Sequence, residues 1–274
     1  MKNLAYLENQ SLVDLSIFSG VPSSAKALIW EVFFASRQRG FDLHTHFPWI
    51  DQKKGVYCFA LSEVKSGTTV GVLVLRMLDR FTGSRCAMIG MVCVSQSWRG
   101  KGLSARLLSS VVTFASNQQI DSLLLWTTQP GIYRKHGFMS DTGTCDIFGR
   151  VTGNLMSSRA PMRFSKESSW AYSGLPPFGK RLVRFESKDA ELIVVETAEG
   201  LSLAEGMGSP SDVVDLIETA LPLTWNLNAP ADTPILDEIN KRGYSYVPLP
   251  CAERMVLHLG LPVYIPYVSI LERI

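Results

Sequence analysis

The apolar residues of this 274-residue chain fall into runs with two different periods. Over residues 23–40, "SSAKALIWEVFFASRQRG" opens on Ser, closes on Gly and repeats Leu28, Ile29, Val32 and Phe33 at helical spacing, with Phe34 at the margin. That pattern predicts an amphipathic helix. "GVYCFALSEV" and "TTVGVLVLRML" are β-rich and flank the turn-like "KSGT", which predicts a hairpin, and "CAMIGMVCV" reads as a third strand. Next, "LSARLLSSVVTFASNQQ" places Leu103, Leu107, Val111 and Phe114 on one stripe, as a helix packed on a sheet requires. "DSLLLWTT" predicts a buried strand. "PGIYRKHGF" predicts a short helix between Pro130 and Gly137, leading into a further strand.

From about 150 to 180 the sequence loses its period and becomes rich in Ser, Gly and Pro, the signature of a linker or long crossing segment. Beyond it the order of elements begins again. "RLVRFES", the hairpin "ELIVVETAEGLSLAEGM", the capped helix "SPSDVVDLIETAL", the strand "PLTWNLN" and the helix-to-strand "DTPILDEINKRGYSYV" follow in turn. "DSLLLWTT" echoes "PLTWNLN", and "YRKHGF" echoes "INKRGY", with Gly137–Phe138 matching Gly243–Tyr244. The shared order points to a duplicated fold. The expected division is a domain over 1–150, a linker over 151–180 and a second, degenerate domain over 181–274. The class is α/β (α+β), each half a mixed sheet flanked by helices.

Composition narrows the functions. With 46% apolar and 19% charged residues the chain can bury a sizeable core. No apolar run reaches the roughly 20 residues a membrane helix needs. The start carries Glu8 and Asp14 where a signal peptide would be apolar, so a cytoplasmic protein without membrane partners is expected. Five widely spaced cysteines without a C-x-x-C pair suit reduced thiols, with no zinc site. A net charge of +2 gives no bulk case for nucleic acid.

The charge is local instead. In "VCVSQSWRGKGLSARLL", residues 92–108, a strand ending at Val94 and a helix starting near Leu103 enclose Arg99, Gly100, Lys101 and Gly102. The unpaired N–H groups of the helix N-terminus face the turn, the glycines allow close approach, and the two cations add positive charge. Phosphate or pyrophosphate is the natural occupant, against the alternative of a plain loop. G-x-G-x-x-G and G-K-[ST] are both absent, which excludes Rossmann and Walker sites.

These residues resemble the GCN5-related N-acetyltransferase (GNAT) superfamily, whose signature [RQ]-x-x-G-x-[GA] falls on Arg99, Gly102 and Ser104, the last departing from the usual Gly or Ala. "IYRKHGF" is similar to the Tyr-bearing short helix and Gly-Phe of that superfamily. The resemblance covers residues 20–150; in the second half "EGMGSPSDVV" holds the equivalent place without the Arg or the spaced glycines. It implies a tandem GNAT fold with one competent acetyl-CoA site; no metal is expected, because His44 and His46 lack a third ligand of clear spacing. Backbone amides of Arg99, Gly100, Lys101, Gly102, Leu103 and Ser104 would hold the pyrophosphate. Val92, Cys93 and Val94 would pair with the pantetheine arm, with Gly90 marking a bulge, and Tyr133 would protonate the departing thiolate.

The reaction so implied is direct attack of a primary amine, small-molecule or peptide, on acetyl-CoA. Many superfamily members carry a Glu on the fourth strand, but "AMIGMVCV" has no acid. Water, Glu63, Asp79, His44 and His46 remain as bases, and a non-catalytic CoA-binding or regulatory module remains as the alternative function. Cys93, between two valines, is expected to be an inert buried thiol. His136 is expected to act as a helix-terminal charge. Trp49, Trp126, Trp170 and Trp225 are read as core or as acceptor-pocket lining. The acceptor and the oligomeric state are not encoded in any motif.

Overall fold

The computed structural model describes residues 12–78, 84–141, 146–153 and 174–274. Asp79, Cys145, Trp170 and most of the expected linker lie outside them. The chain forms two compact units, one of residues up to Asp141 with Glu253–Ile265 and Ile274, the other of Thr142–Ala252 with Pro266–Arg273.

The first unit begins with β1 (Val13–Ser19), α1 (Ser23–Phe33) and the single-turn α2 (Leu43–His46). β2 (Val56–Glu63), β3 (Thr69–Leu78) and β4 (Cys86–Val94) then form the predicted antiparallel meander. α3 (Leu103–Asn117) crosses to β5 (Ser122–Thr127), which runs parallel to β4, and α4 (Pro130–Arg134) leads to the two-residue β6 (Met139–Ser140). Two apolar layers sandwich the sheet. On one face Leu103, Leu107, Leu108 and Val111 of α3 pack with Phe59, Leu73, Ile89 and Leu123. On the other, Ala25, Leu28 and Ile29 of α1 pack with Cys58, Val72, Val74, Met91 and Cys93.

α1 ends at Phe33 rather than near Gly40. Phe34 leaves helical geometry at φ −121° to bury its ring, stacking on Trp30 at 5.0 Å and on His46 at 4.9 Å, and a 3₁₀ turn over Ala35–Arg37 follows. Burial of an aromatic outweighs the weak propensity of the next residues to prolong the helix.

The second unit repeats the plan with β8 (Gly179–Glu186), β9 (Ala190–Thr197), β10 (Gly200–Gly208), α5 (Pro210–Ala220), β11 (Thr224–Pro230), α6 (Pro234–Lys241) and β12 (Ser245–Pro248). Its core centres on Trp225, Leu203, Val214 and Ile217.

The remaining two strands are exchanged. β7 (Asp146–Thr152) follows the first half in sequence but lies in the second sheet, antiparallel between β11 and β12. β13 (Glu253–His258) follows the second half but lies in the first sheet, antiparallel between β5 and β6. The sheet orders are β1-β2-β3-β4-β5-β13-β6 and β12-β7-β11-β10-β9-β8. The sequence divides the chain into 1–150, a linker over 151–180 and 181–274, whereas the second compact unit begins at Thr142 and Glu253–Ile265 returns to the first.

Candidate functional site

β4 is bulged where the sequence marks Gly90. Val72 pairs with Cys93 and Val74 with Gly90, so Met91 and Val92 together oppose the single residue Leu73. Met91, one of the two residues in the bulge, takes the left-handed conformation at φ +52°. The parallel ladder to β5 joins only Cys86, Ala87 and Met88 to Ser122, Leu123 and Leu124. Past Met88, β4 stays on β3 while β5 pairs on its other side with β13 out to Thr127. The strands therefore part, and beyond Met88 the backbone of β4 has no ladder to β5.

The connection from Val94 to α3 begins with a 3₁₀ turn at Gln96–Trp98 and passes through Gly100 (φ +75°) and Gly102 (φ +77°), positions where a Cβ would be strained. Gly102 is the N-cap of α3 and has no side chain with which to cap it; the first helical bond runs from the Arg106 N–H to the Gly102 carbonyl at 3.1 Å. The amides of Leu103, Ser104 and Ala105 precede that bond and carry the positive end of a 15-residue helix whose first turn holds no acid. Arg99 donates from Nε to the Val94 carbonyl at 3.2 Å, bracing the turn against the end of β4. Lys101 lies over the Trp98 ring, its Nζ 4.3 Å from the centroid. Both cations are thus held by contacts within residues 94–101, immediately before α3.

The equivalent place in the second unit is built differently. β10 has the same kind of bulge, with Ala204 extra, and the same short parallel ladder, Ser202–Leu203 to Asn226–Leu227. But β10 ends at Gly208 and α5 starts at Pro210, leaving one connecting residue. That residue, Ser209, caps the Asp212 N–H at 3.3 Å and donates its hydroxyl to the Asp212 carboxylate at 2.6 Å. Pro210 has no N–H, and Asp212 puts a negative charge in the first turn. Three features that leave α3 open to an anion are reversed in α5.

Tyr133 lies on α4, half-buried, its ring edge-on to Phe138 at 6.0 Å and packed on the α3-side core. Burial raises the phenol above its ordinary value, so it stays a proton donor. Cys93 is buried on the opposite face, its thiol pushed up to about 12 chiefly by burial. His136 lies past the end of α4 and burial lowers its pKa, which favours the neutral ring over the helix-terminal charge expected from sequence.

The base candidates do not gather here. Glu63 sits in the β2–β3 turn accepting from Ser66 at 2.6 Å. His46 is buried and accepts the Phe41 N–H at 3.1 Å, while His44 Nδ1 faces Asp51 at 3.2 Å. Among the described residues no group of three His, Cys, Asp or Glu could hold a metal. Trp225 is core, at 2% exposure. Two features of the site were not read from sequence. The space beside Gly90 holds the main chain of Ile274, and β13 braces α4; both join residues more than a hundred positions apart, which no local period reveals.

A bulged strand that parts from its parallel neighbour is thus followed by a basic turn and a helix whose N-terminus has no side-chain cap. Residues 24–138 match the acetyltransferase (GNAT) family, and the two sheets fit a tandem arrangement of that fold. Solved structures of similar fold include a GCN5-related N-acetyltransferase from Anabaena variabilis (TM-score 0.63, 12% identity, 90% of this chain and 74% of that one). A probable N-acyltransferase from Enterococcus faecalis (0.60, 14%, 90% and 73%) and Eis1 from Mycobacterium abscessus (0.54, 14%, 90% and 73%) are also similar. No curated protein sequence matches the chain. No described helix is long and apolar enough to cross a membrane.

Proposed function

We propose that the protein is an N-acetyltransferase that moves the acetyl group of acetyl-CoA to a primary amine by direct attack in a ternary complex. The carrying observation is the open, Gly102-capped N-terminus of α3 beside Arg99 and Lys101. The amides from Arg99 to Ser104 would bind the pyrophosphate, and Val92–Val94 would hold the pantetheine arm by main-chain pairing along the edge that β5 leaves. Acetyl-CoA supplies the activated acyl group. Backbone N–H groups near the Met91 bulge would face the developing oxyanion, and Tyr133, kept neutral by burial, would deliver the proton that the thiolate needs. The self-capped α5 makes the second unit a non-binding partner in this reading.

One observation favours a second reading, a CoA-binding module without turnover: β4, "CAMIGMVCV", has no carboxylate or imidazole to take the amine's proton. The two separate experimentally. Acetyl-CoA at about 100 times its Kd should add about 2.7 kcal/mol of stability in thermal denaturation. A free-thiol assay across polyamines, aminoglycosides, amino acids and lysine peptides then reads turnover. A stability gain without thiol release supports the module; no gain overturns both.

A further inference from the structure

α4 has five residues, too few to hold its orientation alone, so the placement of Tyr133 is decided by what α4 touches. Much of that is β13. Met255 and Leu257 of β13 share the core on which Tyr133 and Phe138 pack, and Leu257 lies against Gly137, where a Cβ would come within 3.2 Å. Beyond the apolar contact there is a polar clasp. Arg134, the residue after Tyr133, reaches Glu253 Oε1 at 3.2 Å and Ser140 Oγ at 3.3 Å, and Ser140 donates to the same Glu253 oxygen. One carboxylate oxygen thus ties the end of α4 to Ser140 of β6, and it comes from a strand that the chain adds after its second half.

We propose that Glu253 is a positioning residue for the Tyr133 phenol, so that the exchanged strand β13 sets the geometry of proton delivery in the first unit. This rests on the acetyltransferase reading above. The ion pair is open to solvent on the Arg134 side, 56% exposed, so it contributes little to overall stability and its removal should leave the fold intact. Orientation is more sensitive than stability, because small displacements of a catalytic group cost large factors in rate.

The test compares Tyr133→Phe, Glu253→Ala, Glu253→Gln and the double variant Tyr133→Phe/Glu253→Ala in the full chain, by kcat and KM with the best amine found. Glu253→Ala should lower kcat about tenfold at unchanged KM for acetyl-CoA. Glu253→Gln, which still accepts from Arg134 and Ser140, should restore kcat to within about twofold of wild type. The double variant should be no slower than Tyr133→Phe alone, since the effect passes through Tyr133. If wild type shows no turnover, or Tyr133→Phe leaves kcat unchanged, the acid assignment falls and this inference with it. If Tyr133→Phe is slow but Glu253→Ala matches wild type, or Glu253→Ala and Glu253→Gln are equally slow, the inference alone is overturned.

Discussion

The main chain of Ile274 lies directly against Gly90: a Cβ on residue 90 would fall 2.5 Å from the Ile274 carbonyl carbon and oxygen and 2.8 Å from its Cγ1. Gly90 is not in the left-handed region, so its backbone would accept alanine, and the three nearest atoms a methyl would meet all belong to Ile274. Gly90→Ala should therefore destabilise the protein by about 1–3 kcal/mol through overpacking. Deleting Ile274 should abolish that penalty. Urea melts of the two single changes and their combination check it: an equal Gly90→Ala cost with and without Ile274 would place the conflict elsewhere.

The contrast between Gly102 and Ser209 can be transplanted. Gly102→Asp puts a carboxylate at the cap of α3, where it would bond the first-turn amides as Ser209 does in α5 and repel an anion as Asp212 does. Asp tolerates positive φ better than most residues, so the melting temperature without ligand should stay within a few degrees of wild type. The stabilisation by acetyl-CoA should disappear. A retained shift would show that the pyrophosphate does not use this helix terminus.

Buried thiols give the protein an alkaline limit. Burial pushes Cys58 and Cys93 to about 12, while an unfolded chain ionises its thiols near 8.5. Above that pH the unfolded state holds fewer protons than the native state, so stability present below about pH 8.5 is lost as pH rises toward the folded values. The two thiols together should remove up to about 3 kcal/mol per pH unit between about pH 9 and 11. Denaturant melts from pH 8 to 10.5 should fall steeply, and Cys58→Ala/Cys93→Ala should flatten the fall. An identical slope in the double variant would refute the assignment. Alkylation at pH 8 should modify exposed Cys251 and spare Cys58 and Cys93.

The parts legible in the sequence are those whose signal is local. "CAMIGMVCV" is a continuous apolar run and proved to be β4 at its exact ends, and the Leu103–Leu107–Val111 stripe gave α3 because one face meets the sheet. The Arg99–Gly102 turn was readable because its chemistry lies within four consecutive residues. β1 was not read: it is an edge strand with only Val13 buried, so its alternation is blurred. β7 and β13 could not be assigned to their sheets, because a strand's own sequence states its two faces and not its neighbours. Tyr133 was named correctly as to element, while Glu253 lies 120 residues away and carries no mark beyond an ordinary surface charge.

The strand exchange makes a buried residue of the late sequence a determinant of the first sheet. Arg254 on β13 has a side chain only 3% exposed; it meets Asp141 Oδ2 at 2.9 Å and donates to the Ile265 carbonyl at 2.5 Å, and its own carbonyl accepts the Asp141 N–H at 3.0 Å. Replacing it with methionine fills similar volume but leaves the Asp141 carboxylate, 16% exposed, without its countercharge. Breaking a buried pair by removing one partner costs about 3–5 kcal/mol, so Arg254→Met should destabilise by that order. Arg254→Met/Asp141→Leu, which removes both charges, should recover most of the loss. The cost should also be local: hydrogen exchange should accelerate at the β5 and β6 amides, which β13 bonds, and stay unchanged at β9 and β10. Uniform acceleration across both sheets would mean that the exchanged strands couple the two units into one cooperative fold, and no acceleration at β5 would deny β13 its structural role.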